Sequence, residues 1–283
     1  MLDFIIIGAA KSGTSWLANN LGKNPSFFVP PAEIHYFSRY YERKSIEWYS
    51  GFFADRQPGQ VAGERSNTYM TDPRAPARIF RELPNVKLLA ILRNPVERAY
   101  SGYCMRLDRG LVSADINREL DPANARAREI LENGLYTQQL GRFLERFPRE
   151  RLHIAIHDDI SARPIELLSD ISKFLAAPHT FDSASVKFRY NARKSHGIKP
   201  VYNKLLGAFM RSERWRRGVG KSLRSSPLGR TLLRAVSSSL TYPPFDDGIR
   251  TRLAAFYADE VELLSDFTGR NLDNWLNNEK PSR

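Results

Sequence analysis

The stretch FIIIGAAKSGTSWL, residues 4–17, leaves a chain few ways to fold. Phe4, Ile5, Ile6 and Ile7 make an unbroken apolar run, the mark of a strand buried on both faces in a parallel sheet. A turn holding Gly8 and Gly13 follows, and TSWLANNLG (14–22) reads as a helix ended by Gly22. Strand, glycine turn and helix in that order aim backbone N–H groups at one point, and the positive end of the helix dipole reinforces them. Lys11 adds a full charge; Thr14 and Ser15 add hydroxyl donors. A nucleotide-triphosphate loop of this spacing carries Lys at position 14 and Ser or Thr at 15. Here the lysine sits at 11 and position 14 is Thr. The stretch predicts a phosphate site whose cation has moved.

The rest of the chain repeats the alternation. Residues 61–70 predict a short strand running into a loop, 73–83 a helix, and VKLLAIL (86–92) a second buried strand. A helix then starts with Asn94 as N-cap and Pro95 in its first position, and Gly110 is its stop. Residues 116–147 are helical in character with a break at 132–134. LHIAIHDDI (152–160) is a third strand, and 163–176 an amphipathic helix closed by Pro178. SFFVPPAEIHYFS (26–38) reads as a loop with short extended pieces, 45–53 as a short helix, and 247–268 as the last helix, with Trp275 packing back on the core. Strands alternating with helices predict an α/β fold, a central parallel sheet flanked by helices. The 283 residues suit a single domain, 1–283, with a helical basic C-terminal elaboration at 203–240.

Bulk properties narrow the function classes. One cysteine, Cys104, excludes a disulfide framework and a cysteine zinc site and fits a cytoplasmic location. The apolar N-terminal run is short, follows Asp3 and lacks a basic leader, so it reads as a strand and not a signal peptide. No stretch reaches the about 18 apolar residues of a membrane span. The formal net charge of +12 is compatible with nucleic acid, a membrane surface or anionic small molecules and polymers. No DNA- or RNA-recognition motif is visible, so no nucleic-acid partner is expected. Between Asn203 and Arg234 nine Lys or Arg face a single acid, Glu213. That segment reads either as a scaffold lid or as a basic face toward an anionic acceptor or surface.

A second constellation lies at the end of the second buried strand. Ligands of open α/β sheets sit at the carboxyl ends of strands, so Arg93 points at the crevice of the glycine turn. Its planar fork suits a phosphate, and Ser101, two helical turns on, adds a hydroxyl. A ligand with phosphates at two ends is implied. Triphosphate hydrolysis needs Mg²⁺ held partly by an Asp at a strand end. Asp158 or Asp159 could hold it, but their placement favours capping the following turn. A P-loop kinase is therefore the alternative reading.

A Lys-Ser-Gly-Thr-Ser loop after one strand and an Arg-Asn-Pro after another, with Ser101 beyond it, resembles the PAPS-dependent sulfotransferases, PAPS being 3′-phosphoadenosine 5′-phosphosulfate. The resemblance implies a P-loop-like fold and transfer of a sulfuryl group from PAPS to a hydroxyl or amine of a small-molecule, sugar or lipid acceptor, without a metal. It assigns Lys11, Ser12, Gly13, Thr14, Ser15 and Trp16 to the 5′ end of PAPS and Arg93 and Ser101 to the 3′-phosphate. NARKSHGIKP (191–200) lies where the family closes a basic loop over PAPS, which makes Arg193, Lys194 and Gly197 candidates. EIHYF is similar to the Glu-x-His-Phe-Phe segment of heparan-sulfate-type enzymes. By that likeness Glu33 is the base and His35 a supporting acceptor contact, although either side chain could take the proton. GERSN is similar to their Glu-Lys-Ser/Thr segment and puts Arg65 where a lysine near the sulfuryl group stands. Ala32 and Ser38 depart from the charged residues usual there.

Overall fold

The computed structural model describes residues 2–177, 181, 186 and 242–277. Its centre is a five-stranded sheet of order β2-β3-β1-β4-β5, with every pairing parallel. The strands are β1 (Phe4–Gly8), β2 (Phe27–Phe28), β3 (Val61–Arg65), β4 (Lys87–Leu92) and β5 (Leu152–Ile156). Alternate side chains of each strand go to opposite faces. Ile5 and Ile7 of β1 join Leu88, Ala90 and Leu92 of β4 in one core, while Phe4 and Ile6 join Leu89 and Ile91 in the other. Both cores are apolar, which is why these strands read as continuous hydrophobic runs.

Helices cover both faces. α1 (Thr14–Leu21) lies on the second face, where Trp16, Leu17 and Leu21 enter the core. The first face carries α2 (Ile46–Ser50), α3 (Ala75–Glu82) and α4 (Pro95–Asp108). The chain continues through α5 (Ile116–Glu119), α6 (Ala125–Leu131) and α7 (Tyr136–Leu144) to β5, then through α8 (Asp159–Ala162) and α9 (Pro164–Leu175). α10 (Asp247–Thr268) returns to the first face through Leu253, Tyr257 and Leu264. The chain end follows it, and Trp275 is buried as expected. Asn94 caps α4 by accepting from the N–H groups of Val96 and Glu97, and Gly110 takes the left-handed conformation just past the helix.

Four details differ from the sequence reading. The 116–147 helix breaks twice, because Asp121 and Asn124 accept backbone N–H groups in a turn before the expected break at 132–134. The third strand stops at Ile156, since His157 and Asp158 turn into α8. Residues 36–40 form a turn of π-helix inside the predicted loop. Asp158 and Asp159 do not cap the turn with their side chains. Asp158 accepts from the Trp275 indole at 2.9 Å, and Asp159 receives Arg163 and Arg270. Donors from the far end of the chain reach these acids, which sequence order does not reveal. Pro178 and the 203–240 elaboration lie outside the described residues.

The β1–β3 pairing sets Phe4 beside Gly63. A Cβ at Gly63 would stand 2.1 Å from the Phe4 ring, so the strand's close approach requires glycine. Gly63→Ala is expected to cost about 1–3 kcal/mol of stability by overpacking. Urea denaturation measures it, and an unchanged midpoint would contradict this packing.

Candidate active site

β1 and β4 are neighbours, and their connections leave in opposite directions, toward β2 and toward β5. That reversal is the topological switch point, where an open sheet leaves a crevice beyond its strand ends. The glycine turn after β1 and Arg93 after β4 both lie there. Lys11 and Gly13 have left-handed backbones, at φ 72° and 97°. Gly13 packs so closely that a Cβ would fall 2.4 Å from Ile160 Cδ1. No side chain caps the N-terminus of α1, so its first N–H groups face the crevice beside Lys11 and Ser15.

Arg93 reaches across the switch point. Its Nη1 donates to the Lys11 carbonyl at 3.4 Å, and its Nη2 pairs with Glu97 at 3.5 Å. Glu97 also holds Arg250 of α10 at 2.6 Å, which ties the last helix to Arg93. Tyr136 donates its phenol to the Arg93 carbonyl at 2.9 Å. Ser101 is buried on α4 along the same face as Asn94 and Arg98. Ser12 and Trp16 are buried, 0% and 3% exposed, and the Ser12 N–H donates to the Ala9 carbonyl at 3.3 Å. Arg193, Lys194 and Gly197 lie outside the described residues.

The expected acceptor side is brought to the same loop. Arg65, at the end of β3, donates from Nη1 to Ser15 Oγ and lies 3.7 Å through Nε from Glu33 Oε1. Glu33 Oε1 also accepts from Asn67 at 2.8 Å, and Glu33 Oε2 lies 3.1 Å from His35 Nε2. Glu33 and His35 meet as expected. The cause is not an extended chain, however: His35 is left-handed at φ 55° and its backbone N–H is held by Ser66 Oγ at 2.8 Å. Ser66 in turn donates to Glu64 Oε2 at 2.7 Å.

Glu64 is the buried footing of this arrangement. It is fully buried and accepts from Tyr49 at 2.9 Å and Tyr69 at 2.7 Å. Burial pushes its carboxyl above the ordinary range, and the hydrogen bonds from Ser66, Tyr69 and Tyr49 pull it partly back. The same burial, with Glu64 beside them, drives the Tyr49 and Tyr69 phenols well above theirs. Glu64, Ser66, Asn67 and Thr68 were not singled out from sequence. The available signal was an acid inside a buried strand that also carries Arg65, with the polar run 66–68 directly after it.

Two openings flank the line Ser15–Arg65–Glu33–His35. A cleft of about 170 Å³ is lined by Ser15, Asn19, Lys23, Pro30, Pro31 and Arg65 among others. A wider groove of about 470 Å³ lies beyond His35, with Ser38, Arg39, Thr68 and Arg74 among its walls. The donors at the switch point are cationic, hydroxyl and backbone N–H groups, a set that fits phosphate groups. Beside them stands a carboxylate–imidazole pair suited to taking a proton.

Comparison with known proteins agrees with this chemistry. The sulfotransferase domain matches residues 2–222. Heparan sulfate glucosamine 3-O-sulfotransferase 5 of Mus musculus is 27% identical over 283 residues, 96% of this chain and 73% of that protein. The bifunctional heparan sulfate N-deacetylase/N-sulfotransferase of Drosophila melanogaster is 25% identical across 96% of this chain and 27% of its own length. A sulfotransferase from Alicyclobacillus acidocaldarius has the same fold, with a TM-score of 0.68 over 98% of this chain and 99% of that one at 22% identity.

A carboxyl whose folded-state pKa lies above its unfolded one stabilises the fold at low pH, and that contribution fades as the pH rises through the folded value. Glu64 therefore makes the wild type lose stability as pH climbs above about 4.3, the ordinary glutamate value. Glu64→Gln is expected to lose that slope, as read by denaturation at a series of pH values. An identical slope in the variant would show that Glu64 is not the buried acid responsible.

Proposed function

The chain belongs to the sulfotransferase family and is an enzyme of sulfuryl transfer, and from that premise we propose that its donor is PAPS and its acceptor a sugar-type hydroxyl. The observation that carries the reading is the continuous contact Ser15–Arg65–Glu33–His35, which joins the phosphate loop to a proton acceptor. PAPS supplies the sulfuryl group and leaves as adenosine 3′,5′-bisphosphate.

The roles of the chain's own residues follow from charge. The α1 N-terminus, Thr14 and Lys11 hold the 5′ end. Lys11 also offsets the negative charge that builds on the oxygen losing its bond to sulfur. Arg93 reads the 3′-phosphate with its fork, with Ser101 beside it. Glu33 takes the acceptor proton, and His35 and Asn67 hold the carboxylate in place. Arg65 stands between the loop and the base, where its charge favours the group in transit and its planar fork spans both. The names of the heparan sulfate relatives support a sugar acceptor. The cleft beside Ser15 and Arg65 carries Pro30, Pro31 and Val29, a less polar wall that suits the face of a sugar ring.

Two variants test the reading. Lys11→Ala should lower turnover with PAPS by about 10²–10³, the loss of one charge-stabilising donor. Arg93→Ala should weaken adenosine 3′,5′-bisphosphate far more than adenosine 5′-phosphosulfate, which lacks the 3′ group. Calorimetric titration of both ligands decides: equal losses would remove Arg93 from 3′-phosphate recognition, and wild-type turnover in Lys11→Ala would remove Lys11 from the chemistry.

A further inference from the structure

The proton-accepting pair has a second layer behind it. His35 Nδ1 lies 2.9 Å from Thr68 Oγ1, and Thr68 Oγ1 lies 2.7 Å from Ser38 Oγ. Both hydroxyls line the groove beyond the pair. Four polar groups thus run in a line from the groove to Glu33.

The donor direction along this line follows from the carboxylate. An ionised carboxylate only accepts, so His35 Nε2 must carry a proton to make an attractive contact with Glu33 Oε2 at 3.1 Å. In the neutral ring Nδ1 is then the acceptor, and it is Thr68 that donates to it. The Thr68 oxygen accepts in turn from Ser38, whose other acceptor, the His35 carbonyl, is more distant at 3.4 Å. Every hydroxyl in the line therefore has a use, and all donate toward Glu33. The charged groups nearest the ring are Glu33 on its own segment, with Arg65 of β3 beside it, and Glu64 on β3, while Arg39, Asp72 and Arg74 stand in the wall of the groove.

We propose that Thr68, backed by Ser38, is a positioning residue that locks His35 as its Nε2–H tautomer and thereby holds Glu33 turned toward Arg65. Its effect on rate rests on the sulfotransferase reading; its effect on the ring does not. Without the Thr68 hydroxyl Nδ1 loses its donor, and only the contact with Glu33 still favours the Nε2–H form. A ring that carries its proton on Nδ1 presents a lone pair to the carboxylate and stops supporting it.

The test separates the two levels. Two-bond ¹H–¹⁵N correlation on uniformly labelled protein, with His35→Gln to assign the signals, reads the tautomer without donor or acceptor. The wild type should show a protonated Nε2 and a bare Nδ1. Thr68→Val, nearly isosteric, should give mixed tautomers, and Thr68→Ser should restore the single form. In turnover Thr68→Val should lower kcat about tenfold, the scale of one lost hydrogen bond, with the KM for PAPS unchanged and the acid limb of the pH profile moved to higher pH. Thr68→Ser should recover the rate and the limb. An Nδ1–H tautomer in the wild type, or identical ring signals in Thr68→Val, overturns the proposal. So does a changed tautomer with an unmoved rate and pH profile. If the wild type fails to use PAPS while the ring signals behave as expected, the functional reading falls and the hydroxyl line stands.

Discussion

β1 pairs in parallel with β3 on one side and β4 on the other, and this central position sets where every functional group can stand. The register holds Ile6 beside Arg65 and Leu89, so β3 closes at Arg65 while β1 and β4 run on to Gly8 and Leu92. All three end at the carboxyl side of the sheet, where the glycine loop follows β1, Arg65 closes β3, and Arg93 follows β4. The pairing shifts between Ile6 and Gly8, where the strand gives way to the loop. Three segments far apart in sequence therefore deliver a loop of N–H donors and two guanidinium groups to one crevice. The groups need no long excursions, because the sheet has already placed their backbones.

Such a concentration of cations needs anionic partners, and the fold provides them in two places. Glu97 lies between Arg93 and Arg250, and Glu33 lies beside Arg65. The second pair is the more consequential, since the same carboxylate faces His35. Arg suits the β3 position because its fork can hold Ser15 and approach Glu33 at once, whereas a lysine offers a single point charge. Beneath them Glu64 fixes the turn through Ser66, and three hydroxyl donors satisfy its buried carboxyl. A buried, fully bonded acid of this kind rigidifies its neighbours, and it settles the left-handed backbone of His35.

The parts legible in sequence were those encoded locally. β1, its glycine loop and α1 follow from one continuous segment, and so do β4, the Asn94 cap and α4. Glu33, His35 and Arg65 were found through a family likeness, and the structure brings them within contact of each other. What escaped depends on distance in sequence. Asp158 and Asp159 looked like caps because Trp275 and Arg270 arrive only in three dimensions. Ser12 and Trp16 share the loop's motif and are buried, Trp16 because it enters the core from α1. Thr68 has an ordinary sequence neighbourhood and Ser38 stood out only as a departure from a usual charged residue; the turn after β3 and the π-helical turn together set them behind His35.

On the proposed function, one crevice holds a ligand with phosphate at both ends, with Glu33 on its open side. A crystal structure with adenosine 3′,5′-bisphosphate tests this most directly. The 3′-phosphate should lie on Arg93 and Ser101 and the 5′-phosphate on the N–H groups of α1 beside Lys11, leaving the space between Arg65 and Glu33 clear for an acceptor. A nucleotide bound the other way round, or one whose 5′-phosphate lies away from the Lys11 loop, would contradict it.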